Sequence, residues 1–220
     1  DVAKSIKEEL VKEVEALKEK GITPCLSIIR VGERSDDLSY ERGARKRMEM
    51  TGIQCRVTAL PKDVSQEEFE QTFSRINEDS DVHGILLLRP LPKSLDEGPV
   101  RAMIHPNKDV DGMSPVNMAK VFSGDETGFA PCTAQAVMEI LQYYGVMPRG
   151  KRITILGRSM VVGRPLAMSL LKADGTVTLC HTRTEELAQE CSKAQILVAA
   201  AGKARMVTED MVGEKAVVID

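Results

Sequence analysis

At 220 residues and 24.1 kDa the chain is long enough for one large domain or two small ones, each with a buried core. A net charge of -3 with both signs interspersed, and only 3% aromatic residues with no tryptophan, leave neither a basic footprint nor stacking platforms for nucleic acid. No apolar run approaches membrane-spanning length and the first residues lack a signal-peptide pattern, so a soluble, cytoplasmic protein with no membrane partner is expected.

Val2, Ile6, Leu10, Val14 and Leu17 recur at the three-to-four spacing of an amphipathic helix, which predicts one over 2–20. Residues 24–31 read as a strand stopped by Gly32. The cycle repeats with a helix over 36–51, a strand over 54–60, a helix over 66–78 and a strand over 84–88. Such alternation predicts an α/β fold with a mainly parallel sheet covered on both faces. The stretch 89–112, carrying Pro90, Pro92 and Pro106, reads as loop-rich, beyond the carboxyl end of a strand where ligands gather in open α/β sheets. A second irregular stretch over 123–131 sets the expected boundary between domains of residues 1–126 and 127–220. After it come a helix over 133–144, a strand-turn-helix unit, a helix over 185–193, and strands over 195–200 and 216–220.

Cys25, Cys55, Cys132, Cys180 and Cys191 form an odd set without a C-x-x-C pair. Cys25, Cys55 and Cys180 lie in strand-like apolar runs and read as buried reduced thiols. His83, His105 and His181 are far apart in sequence and no H-E-x-x-H occurs, so no metal is expected.

The strand-turn-helix unit, 152–165, reads Arg-Ile-Thr-Ile-Leu-Gly-Arg-Ser-Met-Val-Val-Gly-Arg-Pro. Ile153, Ile155 and Leu156 are strand-forming, Gly157 permits a tight turn, Ser159 is expected to cap the coming helix, and Gly163 lets that helix lie close to a strand. Backbone N–H groups at such a helix start favour a dinucleotide pyrophosphate. The segment departs from G-x-G-x-x-G by carrying Arg158 and Ser159 where the second glycine falls, and alone it also fits an ordinary strand-to-helix turn. The strand over 176–180 follows at the spacing of a β-α-β unit. An NAD site calls for Asp or Glu after that strand, whereas here come His181, Thr182 and Arg183. The missing acid points to NADP, with Arg158 and Arg183 as cations and Ser159 and Thr182 as hydroxyl donors for the extra phosphate.

Several motifs stand in one order: Ser-Tyr-Glu-Arg-Gly at 39–43, Thr-Gly-Ile at 51–53, His-Gly-Ile-Leu at 83–86, Lys-Asp-Val-Asp-Gly at 108–112, Pro-Cys-Thr at 131–133 and Gly-Arg-Ser-Met-Val-Val-Gly-Arg-Pro at 157–165. Together they resemble the methylenetetrahydrofolate dehydrogenase/cyclohydrolase family over nearly the whole chain. The resemblance implies a folate-binding N-terminal α/β domain, a Rossmann-type NADP-binding domain, a cleft between them, and a homodimer. It assigns Tyr40 and Asp111 as catalytic, with Leu88 beside them in binding folate; Tyr40 stacks on the substrate and Asp111 holds the pterin through its N–H donors. For the cofactor it implies Thr133, Gly157, Arg158, Ser159, Val162, Gly163, Pro165, His181, Thr182, Arg183, Ala200, Ala201 and Gly202. It also implies a Pro-Gly-Gly-Val-Gly-Pro segment and a closing helix beyond the residues present.

Two positions depart from the family pattern. The lysine of Tyr-x-x-x-Lys is Ala44, and Val-Gln-Leu-Pro is replaced by Leu87, Leu88, Arg89 and Pro90. Both changes remove polar groups suited to hydrolysis, so a dehydrogenase without cyclohydrolase activity is expected. The usual bifunctional enzyme, a shikimate-dehydrogenase-like protein and a non-catalytic NADP-binding regulatory module stay open at this point.

Overall fold

The structure, a computed structural model, describes residues 1–220 and divides into two compact units, Asp1–Asn117 and Met118–Asp220. In the first unit α1 (Val2–Glu19), β1 (Cys25–Val31), α2 (Ser35–Thr51), β2 (Gln54–Leu60), α3 (Gln66–Glu78), β3 (Gly84–Leu87) and α4 (Gly98–Met103) alternate. The three strands pair in the order β2-β1-β3, all parallel. β1 is central, which is why its run is almost continuously apolar: Ile28 and Ile29 are wholly buried. On α3, Phe69 and Phe73 stand four residues apart on one face, and their rings meet edge to face at 6.4 Å. With Ile29, Ile85, Leu87 and Val100 they form this unit's core. Each buried Phe contributes about 1.5–3 kcal/mol of transfer free energy.

The second unit begins within α5 (Pro115–Ser123) and continues through α6 (Cys132–Tyr143), β4 (Arg152–Leu156), α7 (Gly163–Lys172), β5 (Thr176–Cys180), α8 (Leu187–Ser192), β6 (Ile196–Ala199), a 3-10 turn at Glu209–Met211, and β7 (Val217–Ile219). Its parallel sheet runs β5-β4-β6-β7. The chain leaves β4 to one side for β5 and returns on the other side for β6, so β4 marks the topological switch at which doubly wound sheets open a crevice.

Three expectations need correction. The domain boundary expected after residue 126 falls inside the second unit, because Glu126 pairs with Lys172 of α7 at 2.9 Å and Gly124 lies beside the same lysine. The loop-rich stretch 89–112 also contains a helix, α4, that was not expected, and α5 was likewise unforeseen. Both helices are short and begin at or beside a proline, whose fixed φ suits a first helical turn but reads as a loop signal in sequence. Finally, α7 starts at Gly163 rather than near Ser159. No helix is long and apolar enough to cross a membrane.

None of the five cysteines is in a disulfide; Cys25, Cys180 and Cys191 are buried, Cys55 is half-buried and Cys132 exposed. Burial pushes the Cys191 thiol up to about 11 and raises Cys25, Cys55 and Cys180 as well. A raised thiol pKa leaves less thiolate at neutral pH, so these groups are poor nucleophiles. A thiol reagent at pH 8 should therefore label Cys132 rapidly, Cys55 more slowly, and the other three only on unfolding. Cys132→Ser should remove the fast phase, and rapid labelling of the buried thiols would contradict this packing.

Candidate active site

In the second unit the turn after β4 is built by two glycines at close backbone approaches. Gly157 has φ +127°, a conformation that side-chain-bearing residues rarely adopt, and its N–H donates to the Cys180 carbonyl at 2.8 Å. A Cβ on Gly157 would overlap the Ala200 carbonyl oxygen, and one on Gly163 would overlap that of Gly157. The residues that follow β4 and β6 are thus held backbone against backbone, with no side chain between them. Ser159 stabilises the intervening turn rather than serving as the N-cap of α7: its Oγ accepts from the Val162 N–H at 3.1 Å and its carbonyl from the Arg164 N–H at 3.0 Å.

A cavity of about 240 Å³ opens at this turn, lined by Gly157, Arg158, Ser159, His181, Thr182, Ala200 and Ala201 together with Leu156, Cys180 and Met206. Gly202 borders a second cavity of about 300 Å³, along with Lys203 and Arg205. The expected residues outside both linings are Thr133, exposed on α6; Val162, the N-cap of α7; Gly163 and Pro165, buried in its first turn; and Arg183. Arg158 and Arg183 are both solvent-exposed. The loop after β5 is tightened by His181, whose N–H donates to Thr184 Oγ1 at 2.8 Å and whose Nδ1 accepts from the Arg183 N–H at 3.1 Å. That acceptor role places the proton of a neutral His181 on Nε2.

In the first unit α2 is tied to the carboxyl end of the sheet by two arginines. Arg30 of β1 donates from Nε to Glu41 Oε2 at 2.8 Å and from Nη1 to the Gly32 carbonyl, and this ion pair is about nine-tenths buried. Arg34 pairs with Asp37 and donates to the Pro90 carbonyl at 2.9 Å, which joins the start of α2 to the loop after β3. These contacts set the register of α2, on which Tyr40 is 56% exposed and Ala44 half-buried. Losing one partner of such a buried pair costs about 3–5 kcal/mol, because the other charge is left uncompensated.

Asp111 sits on a loop whose backbone is held by its neighbour Asp109. That wholly buried carboxylate accepts from the Met113 N–H, the Ser114 N–H and Asn117 Nδ2 at 2.8–2.9 Å. Asp111 itself meets Arg89 Nη2 at 3.0 Å. Leu88 is only 8% exposed and its N–H extends the ladder to the Ile29 carbonyl, so it offers a ligand little surface. A separate cavity of about 860 Å³ lies at the strand ends, lined by Arg30, Arg34, Lys62 and Pro90–Pro92 among others, with Tyr40, Leu88 and Asp111 outside its lining.

Sequence reasoning did not foresee Met206 in the turn cavity, Lys203 and Arg205 beside it, or the pairing of Arg89 with Asp111. For Arg89 a signal was present, a lone charge following the apolar run Ile85–Leu88. No group of three or more His, Cys, Asp or Glu side chains is placed to hold a metal ion.

Comparison with known proteins bears on both units. Residues 1–111 match the family profile described as the tetrahydrofolate dehydrogenase/cyclohydrolase catalytic domain, and residues 131–220 match its NAD(P)-binding domain. Among curated relatives, "Bifunctional protein FolD" of Alkaliphilus oremlandii is 53% identical over the whole of this chain and 77% of its own length. The crystal structure of the bifunctional FolD dehydrogenase/cyclohydrolase from Campylobacter jejuni superposes with a TM-score of 0.96 at 38% identity, over 98% of this chain and 77% of that one. The Trypanosoma brucei FolD, solved with NADP cofactor and an inhibitor, gives a TM-score of 0.94 at 37% identity, over 99% and 75%. On these grounds the chain belongs to the tetrahydrofolate dehydrogenase/cyclohydrolase family.

Proposed function

We propose that the protein is an NADP-dependent methylenetetrahydrofolate dehydrogenase without cyclohydrolase activity, with folate held by the N-terminal domain and the cofactor by the C-terminal one. The observation that carries the cofactor assignment is the lining of the turn cavity. Gly157, Arg158, Ser159, His181 and Thr182 border one space, and the residues directly after β5, His181, Thr182 and Arg183, include no carboxylate. The fit is steric as well as electrostatic, since a Cβ on either turn glycine would collide with backbone at Ala200 or Gly157 and force open the tight turn that presents its backbone to a pyrophosphate. A neighbour of known structure carries NADP, which supports the same choice.

NADP held by the glycine turn and the loop after β5 would supply the acceptor for a hydride leaving the methylene carbon between two nitrogens of tetrahydrofolate, which becomes the methenyl cation. A nitrogen lone pair stabilises the developing charge, so the chain need supply no acid or base. Its contribution is orientation: Tyr40 stacks on the folate, Asp111 accepts from the pterin N–H groups, and the glycine turn fixes the dinucleotide. Holding two reactants in register is worth up to about 7–11 kcal/mol of barrier. Loss of hydrolysis is inferred from Ala44 and Leu88, whereas the relatives' name, "Bifunctional protein", favours the alternative that both activities are kept.

Methenyl absorbance should rise when the protein is mixed with methylenetetrahydrofolate and NADP, and no rise would overturn the dehydrogenase reading. NADP should bind about tenfold or more tightly than NAD, roughly 1.4 kcal/mol, within the reach of a charge-assisted phosphate contact. Arg158→Ala should erase most of that difference. Equal affinities for the two dinucleotides in the unaltered protein would refute the NADP preference.

A further inference from the structure

We propose that Arg89 is a second substrate-recognition residue: with Asp111 it reads one edge of the pterin, where an amine donor, a ring N–H donor and a carbonyl acceptor stand in a row. This rests on the folate reading above and extends it to the 4-oxo group. A carboxylate accepts from the two donors of that edge but has nothing to offer the carbonyl. A guanidinium beside it supplies the complementary donor, and its planar fork suits a neighbouring pair of in-plane contacts.

The two side chains are brought together across 22 residues of sequence and meet at 3.0 Å through Arg89 Nη2 and Asp111 Oδ2. Each is 20% exposed, sheltered from bulk water yet still reachable. Both backbones are fixed. The bridge between Ile85 and Asp109 lays the Asp111 loop beside β3, and the Asp109 carboxylate holds the residues that follow. On the other side, the Leu88 N–H bond to Ile29 and the Arg34 bond to the Pro90 carbonyl bracket Arg89. Asp111 takes one of the five guanidinium donors, and Arg89 makes no other hydrogen bond within the chain.

A purely structural role explains the arginine poorly. The segment before it, Ile85–Leu88, is apolar and packs into the first unit, and a partly exposed ion pair adds little to stability. What the pair adds is discrimination. An acceptor at the 4-position is rewarded by the remaining guanidinium donors, whereas an amine there sets donor against donor, with both groups losing water for no return.

The experiment compares binding of tetrahydrofolate and its 4-amino counterpart, titrated with the full chain and with Arg89→Leu, alongside the dehydrogenase assay. The unaltered protein should prefer the 4-oxo compound by about tenfold or more, as expected of a site built around a substrate hydrogen bond. Arg89→Leu should narrow that preference severalfold, leaving the part that Asp111 sets through the ring N–H, which the 4-amino compound lacks, and Arg89→Lys, which keeps a cation without the fork, should fall between. A general loss of packing would weaken both ligands alike and leave their ratio unchanged. Should Arg89→Leu fail to fold, Arg89→Met keeps the alkyl stem and answers the same question. An unchanged ratio in a folded Leu or Met variant overturns the role of Arg89 while dehydrogenase activity leaves the functional reading standing. Absence of both folate binding and activity in the unaltered protein overturns both.

Discussion

Methenyltetrahydrofolate incubated with this protein should open no faster than in buffer, even while the same preparation oxidises methylenetetrahydrofolate. Hydrolysis requires water to add to the bridging carbon and a proton to leave it, and a positioned acid or base typically accelerates such a step by about 10²–10⁴-fold. A lysine of lowered pKa suits the task. At its place Ala44 carries no titratable group, and Leu88, 8% exposed, cannot hydrogen-bond to one. The nearby cations do not substitute. Arg45 lies 3.8 Å from the buried Glu41 carboxylate and Arg89 pairs with Asp111, and a guanidinium does not deprotonate at any physiological pH. Ala44→Lys combined with Leu88→Gln should raise hydrolysis by about tenfold or more over the unaltered protein, a small part of what acid–base catalysis can supply. Ala44 is half-buried on α2, so the longer side chain has a route to solvent. Enzyme-dependent decay well above the buffer rate in the unaltered protein would refute the proposed loss.

Gly157→Ala should weaken NADP binding by about tenfold or more, roughly 1.4 kcal/mol, and destabilise the second unit by about 1–3 kcal/mol. Two penalties act together. The residue has φ +127°, and its new Cβ would meet the backbone carbonyl of Ala200, which cannot swing aside as a side chain would. Relief requires the end of β4 or the residues after β6 to move, and both border the turn cavity. Gly145→Ala is the control. It too has positive φ, +66°, but nothing lies within 4 Å of its Cβ, so it should cost some stability and leave NADP affinity unchanged. Thermal melts and cofactor titrations of the two variants distinguish strain from the loss of the cradle. Equal NADP affinity in Gly157→Ala and the unaltered protein would remove this turn from the cofactor site.

What the sequence determined by itself was local and periodic. β2, α3 and β5 run over the residues expected of them, because apolar spacing and a helix-length interval are properties of neighbouring residues. The departures at Ala44 and Leu88 were legible too, since they need only a motif and a register. Short elements were not: α4, six residues opening with Gly98 and Pro99, has too little chain to show a period and forms because Val100 is wholly buried in the first unit's core. The start of α7 was placed too early because the Ser159 hydroxyl serves a turn that only the β4 and β6 ends impose. Tertiary structure alone decided which distant residues meet. His181 and Ala200 reach Gly157 because β5 and β6 flank β4, and Arg89 reaches Asp111 because the chain crosses back through α4 to lie beside β3. Such pairs depend on strand order and crossover, which no window of sequence contains.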